Sequence, residues 1–257
     1  MIDLRFGAWQ DALADVECDA LICDPPYGVR MHETHRSGTA RDACEGNSRL
    51  VAKRPIPYAG LTEADVQAFV QAWHPRTRGW FAVFSCADLA PAWRQALCDV
   101  GRVTFAPLAC VQHGMSIRLS GDGPSNWTTW LTVARPRGAP KSGTLPGAYV
   151  GMPFDPGENT ATNSKRTGAV GAKPGWLMRV IVRDYSRPGD LVCDPCAGGA
   201  TTLIAAHALG RRAIGAERDP ATFAMAQERL RKAMLQQALF VPTADEWRAP
   251  MPSLGLE

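Results

Sequence analysis

The apolar positions of this chain fall into short blocks of two kinds, continuous runs and runs of helical spacing. Ala20-Leu21-Ile22-Cys23 is the first strand the pattern predicts, and it stops at Asp24-Pro25-Pro26-Tyr27. Two consecutive prolines end a ladder and hold the chain extended or in a turn. Residues 62–73 have helical spacing, with Val66, Phe69, Val70 and Trp73 on one face, Thr62 as N-cap and Asp65 at the third helical position. Residues 80–84 predict a buried strand, 89–100 a helix closed by Gly101, 103–111 another strand, and 127–134 an alternating strand that ends at Arg135-Pro136. Further on, 174–183 predicts a helix, 191–193 a strand, and 198–210 a helix start followed by an Ala/Leu-rich helix. Residues 213–216 predict a strand ending at Glu217, and 220–235 a long amphipathic helix.

Strands that alternate with helices predict the α/β class: a Rossmann-like, doubly wound, mostly parallel sheet with helices on both faces. Residues 28–58 and 136–173 break the pattern, being rich in Gly, Pro and polar residues without sustained periodicity. The first is expected to be a mobile loop and residues 112–172 a small irregular recognition insertion, because long loops in compact domains usually serve function. A length of 257 residues suits one domain over 1–240, with 241–257 as a tail.

With 46% hydrophobic and 21% charged residues, the composition excludes disordered, collagen-like and coiled-coil classes. No apolar run approaches the roughly 18–20 residues of a membrane span. The N-terminus carries acids throughout and lacks a basic-then-apolar leader pattern, so a cytoplasmic protein without a membrane partner is expected. The eight cysteines are scattered, mostly inside apolar runs, and are expected to be free thiols. Cys193 and Cys196 form a lone CxxC without a second pair, and His32 and His35 have no further ligand at zinc-site spacing, so no metal is expected.

The net charge of +3 is unevenly spread. Residues 1–27 hold one Arg against six acids, whereas 28–58 hold six basic residues against three acids and 102–187 hold eleven against four. Two basic segments in a nearly neutral chain can mark a face for a polyanion.

Two motifs carry chemistry. Asp194-Pro195-Cys196-Ala197-Gly198-Gly199-Ala200-Thr201-Thr202 is a turn between a strand and a helix, where small residues let a ligand approach the backbone. The next strand ends in Glu217, and an acid at about this spacing commonly accepts hydrogen bonds from ribose hydroxyls. Together they point to a nucleoside-containing cofactor. Asp24-Pro25-Pro26-Tyr27 also follows a strand. The Asp24 carboxylate and Pro25 carbonyl could accept the two N–H groups of a planar amine, Pro26 stiffens the turn, and Tyr27 offers an aromatic face for a heterocycle.

These residues resemble a family. Asp24–Tyr27 is similar to the DPPY motif of S-adenosylmethionine-dependent DNA amino-methyltransferases, and residues 194–202 resemble their cofactor loop. Lys173-Pro174, followed by Leu177, resembles the Lys-Pro element just upstream of that loop. The order of catalytic motif, variable region, Lys-Pro element and cofactor loop resembles the β class of these enzymes. Cys196 stands where the family has Phe, and Ala200 where its second glycine falls.

The resemblance implies a site-specific enzyme that methylates the N6 amine of a flipped-out adenine in double-stranded DNA. Asp24, Pro25, Pro26 and Tyr27 would be catalytic. Asp194, Cys196, Gly198, Ala200, Thr201, Glu217, Lys173 and Pro174 would hold S-adenosyl-L-methionine. Arg30, Arg36, Arg118, Arg135, Lys165 and Arg166 are the expected DNA contacts. Relatives of this class are often dimeric, and no residue pattern here marks a homodimer interface. Alternatives are methylation of cytosine N4, an RNA- or protein-directed amino-methyltransferase, and a non-catalytic DNA-binding module.

Overall fold

The computed structural model describes residues 1–29, 39–41, 50–52, 59–113, 126–139, 143–152 and 172–239. Its center is the strand β2 (Ala20–Cys23), every residue of which is buried. Such a strand needs neighbours on both sides and helices on both faces. It pairs in parallel with β5 (Phe81–Ser85) on one side and with β10 (Leu191–Asp194) on the other. Beyond β10 lie β11 (Arg212–Glu217) and β1 (Ile2–Phe6), both parallel to it. Beyond β5 lies the antiparallel β8 (Thr128–Arg135), followed by β7 (Leu108–Gln112) and β9 (Ala148–Gly151). The short β6 (Val103–Thr104) also pairs with β8.

The connections run outward in opposite directions from the β10–β2 pair. From β2 the chain crosses through α2 (Glu63–Trp73) to β5, and from β10 through α5 (Thr201–Ala208) to β11. Right-handed crossovers running in opposite directions must use opposite faces of the sheet. One core accordingly joins α2, α3 (Ala90–Asp99) and the short α1 (Trp9–Ala12), with Leu13 directly behind it. The other joins α5, α4 (Gly175–Tyr185) and α6 (Pro220–Leu239). This is the expected doubly wound, mostly parallel sheet. The reversal of direction opens a crevice at the C-terminal ends of β10 and β2, the place where such sheets bind ligands.

Local signals account for several boundaries. Thr62 and Asp65 form a reciprocal capping box at the start of α2, with Asp65 N–H donating to Thr62 Oγ1 at 3.2 Å. The buried face of α2 is Val66, Phe69, Val70 and Trp73, as the spacing requires. Gly101, at φ +80°, ends α3.

Three expectations are corrected. Ala20 does not open the sheet: Ile2–Phe6 is already a strand, a short half-exposed run held by pairing with β11 at the far end of the chain. The strand expected over 103–111 is broken into β6 and β7, both paired with β8. Within 136–173, expected to be irregular, Ala148–Gly151 forms β9, anchored where the Tyr149 hydroxyl donates to Asp184 at 2.9 Å. Four residues with one buried side chain carry too little pattern to be read as a strand. Inside 28–58, β3 (Thr39–Arg41) and β4 (Leu50–Ala52) form an antiparallel hairpin; the rest of that segment beyond Val29 lies outside the described residues.

Cys18, Cys23, Cys86, Cys110 and Cys193 are buried free thiols, Cys196 is half-buried and Cys98 exposed. No described helix is long and apolar enough to cross a membrane, and no described cluster of His, Cys, Asp and Glu is arranged to hold a metal.

Candidate active site

The cleft at the switch point is lined by Asp24 and Pro26 from the end of β2 and by Asp194, Cys196, Ala197, Gly198 and Gly199 from the end of β10. Thr201 and Thr202 at the start of α5, Glu217 at the end of β11, and Ala172, Lys173 and Met178 complete it. Residues 24 and 198, far apart in sequence, thus face one space. Pro25, Tyr27, Pro174 and Ala200 are not on its wall.

The loop after β10 is held by its own polar groups. Asp194 is buried, and its Oδ1 accepts the Cys196 N–H at 3.1 Å. Burial pushes its carboxyl up to about 6, against the opposing effects of hydrogen bonds from Thr202 and the Cys196 N–H. Glu217 ties the end of β11 to this loop: Oε2 accepts the Gly198 N–H at 3.0 Å and Oε1 the Asp219 N–H at 2.7 Å. Burial raises Glu217 as well. The loop lies flat on β11 because Gly215 has no side chain; a Cβ there would stand 2.8 Å from the Asp194 carbonyl oxygen. The Ala197 N–H donates to the Ala216 carbonyl at 2.9 Å.

Ala200 takes up the left-handed backbone conformation that favours glycine. Its φ is 60° and ψ 26°, and its methyl is buried in the core beneath the loop. Pro174 is buried and caps α4, its carbonyl accepting the Met178 N–H at 3.2 Å.

At the end of β2 the backbone is pinned by the Leu61 N–H, which donates to the Tyr27 carbonyl at 2.9 Å. The Asp24 carboxylate is divided in its contacts. Oδ2 accepts from Lys173 Nζ at 2.5 Å, while Oδ1 is buried without a hydrogen-bond partner among the described residues. The Tyr27 hydroxyl is also buried without a hydrogen bond of normal geometry, and burial, reinforced by the Asp24 charge, holds its phenol well above the usual value.

Lys173 was expected beside a cofactor; it lines the cleft, with its ammonium on Asp24. None of the sequence motifs includes Arg229 of α6, which donates to the Gly199 carbonyl and to Thr201 Oγ1, the latter at 3.3 Å. An Arg on an amphipathic helix carries no sequence signal that separates it from a solvated one. Arg135 stands at the opposite end of the sheet, lining a roomier apolar hollow with Trp80, Phe105 and Tyr185. Its guanidinium donates to the Pro136 and Ala139 carbonyls, each at 3.4 Å. Arg30, Arg36, Arg118, Lys165 and Arg166 lie outside the described residues.

Comparison with known proteins places this geometry in context. Residues 128–228 match the model of the N6_N4_Mtase family, described as DNA methylase. The chain is 42% identical over 60 residues to the type II methyltransferase M.HinfI of Haemophilus influenzae, covering 23% of this chain and 17% of that protein. It is 36% identical over 58 residues to the type II methyltransferase M2.DpnII of Streptococcus pneumoniae, covering 23% and 22%. These matches span about a fifth of the relatives' length.

Similarity to solved structures extends over most of the chain. The M1.HpyAVI complex with SAM superposes with a TM-score of 0.66 at 19% identity, over 90% of this chain and 99% of that one. PvuII DNA methyltransferase, cytosine-N4-specific, gives 0.61 at 13%, over 91% and 92%. A putative DNA modification methylase of Thermus thermophilus, complexed with S-adenosyl-L-methionine, gives 0.54 at 18%, over 91% and 94%.

Fold and cleft together define a Rossmann-like α/β protein, a fold shared with solved DNA methyltransferases, with its acidic groups gathered at the switch point of the sheet. The family model matched over 128–228 is that of DNA methylases, and the proteins matched over about 60 residues are type II methyltransferases.

Proposed function

We propose that this chain transfers a methyl group from S-adenosylmethionine to the exocyclic N6 amine of an adenine flipped out of double-stranded DNA. One observation carries the reading: Asp24, one oxygen of which is buried without a hydrogen bond of normal geometry, lines the same cleft as the small-residue loop and Glu217. A buried acceptor without a partner costs free energy, on the order of 1–3 kcal/mol, until a donor arrives. An amino group satisfies it.

The cleft residues fit the cofactor. Gly198 and Gly199 leave room beside the backbone, and Glu217 keeps lone pairs free for ribose hydroxyls beyond the two N–H groups it accepts. Asp194 suits a cationic amine, and Thr201, at the start of α5, a carboxylate. When bound, S-adenosylmethionine supplies an electrophilic methyl on a sulfonium.

The chain's own task is then orientation. The Asp24 carboxylate accepts an N–H of the target amine, which aims the nitrogen lone pair at the methyl carbon, and the rigid Pro25-Pro26 turn holds it in place. Because the amine becomes acidic only as the N–C bond forms, Asp24 acts as a fixed acceptor rather than as a strong base. A duplex encloses its bases, so the reading includes base flipping. Basic residues of 28–58 and 112–172, Arg135 excepted, are assigned to phosphates, and the cytoplasm is the compartment this substrate implies.

Asp24→Ala is expected to abolish tritium transfer from labelled cofactor to duplex DNA while calorimetry still detects cofactor binding. Full activity in that variant overturns the assignment. Nucleoside chromatography of the labelled DNA distinguishes N6-methyladenine from N4-methylcytosine. If the basic segments hold phosphates, DNA affinity falls steeply with salt, by several powers of ten between low and physiological ionic strength for about 6–10 contacts.

A further inference from the structure

The chemistry assigned to Asp24 uses one of its oxygens, and the structure gives the other a partner that this chemistry leaves unexplained. Lys173 Nζ donates to Asp24 Oδ2 at 2.5 Å, bridging 149 positions of sequence. Only 7% of the Lys173 side chain is exposed, against 23% for Asp24. The same ammonium lies 5.1 Å from the ring centroids of both Tyr27 and Phe84. Lys173 is itself held in place by the buried start of α4, where Pro174 follows directly.

A carboxylate rotates about its Cβ–Cγ bond, and an acceptor that aims a nucleophile must not. Fixing Oδ2 on a buried ammonium sets the plane of the carboxylate, whose buried Oδ1 has no hydrogen bond of normal geometry to hold it. The ammonium also offsets the negative charge that Asp24 brings to a cleft already lined by Asp194 and Glu217. Its approach to Tyr27 couples the plane of that ring to the same carboxylate.

We propose that Lys173 is a positioning residue for methyl transfer, acting on the target amine through Asp24 rather than holding the cofactor. This rests on the methyl-transfer reading above. Lys173→Met keeps the apolar stem and removes the charge. Its single-turnover rate of transfer to duplex DNA falls about a hundredfold, the scale of a misaligned reacting group. Its dissociation constant for S-adenosylmethionine, by calorimetry, stays within about threefold of wild type, the split expected when only a transition-state interaction is lost.

The ion pair is also read without any activity. Lys173→Met leaves the Asp24 charge without its partner, so the double variant with Asp24→Asn melts at a higher temperature than Lys173→Met alone. An unchanged rate, a loss of cofactor affinity in step with the rate, or a double variant that melts no higher overturns the proposal. Wild-type protein that transfers no methyl to DNA overturns the functional reading instead, and the melting comparison still decides whether Lys173 holds Asp24.

Discussion

Ala200 carries a conformational cost that its side chain does not return to the cleft. Among the described residues it is the only non-glycine at positive φ, a backbone state that costs an L-residue roughly 1–2 kcal/mol. Ala200→Gly relieves that strain, but it frees the unfolded chain and removes a buried methyl worth about 0.8 kcal/mol, so the terms nearly cancel. A thermal melt is expected to show a shift of less than about 3 °C, whereas Ala200→Val, with a branched side chain at positive φ in the core, melts clearly lower. A missing second glycine was visible in the sequence. That its replacement lies under the loop rather than on the cleft wall was not, because the direction of one methyl depends on the turn around it.

Among the elements, the helix ends show how charge can mislead. Arg102 falls in the basic stretch that suggested a polyanion face, yet it is only 3% exposed. Its guanidinium caps the chain leaving α2, donating to His74 Nδ1 at 3.1 Å and to the carbonyls of His74, Thr77 and Gly79. Burial lowers its pKa to about 10, and Phe81 packs 4.5 Å beneath it. Arg211 does the same at the end of α5, donating to the carbonyls of Leu209 and Ser186. Arg102→Met leaves these carbonyls unsatisfied and is expected to destabilise by about 3 kcal/mol, read as a lower urea midpoint. Helix and strand periods were legible wherever an element buried a full face, as in α2 and β2. Short elements whose pairing comes from distant chain, β1 and β9, were not. Lys173 on Asp24 was equally hidden, because no local spacing records a contact across the sheet.

For the whole molecule, the buried Asp194 sets a dependence of stability on pH. Burial pushes its carboxyl up to about 6 in the folded chain, against 3.8 for a free carboxyl. Between those values the native state keeps a proton that the unfolded state has lost. Stability from this group is therefore greatest below about pH 4, falls as the pH rises through about 6, and is flat above it. The span corresponds to roughly 3 kcal/mol. Asp194→Asn should remove this slope, so melting temperatures of the cofactor-free variant and wild type diverge between pH 4 and 7 in the variant's favour. A difference that does not vary with pH argues that Asp194 is not the group responsible.

The seam between β2 and β10 has a consequence for how the molecule comes into being. Leu191 N–H reaches Asp19 Oδ2 across 172 positions, and the Asp19 N–H answers at the Leu191 carbonyl. During synthesis the strand that bears the acidic motif therefore emerges with one flank bare, and stays so until about 170 further residues have been made. Closing so distant a pair is slow. A ribosome that stalls before residue 191 leaves an apolar edge exposed to other nascent chains, and the cleft at the switch point forms only once β10 and β11 have joined β2.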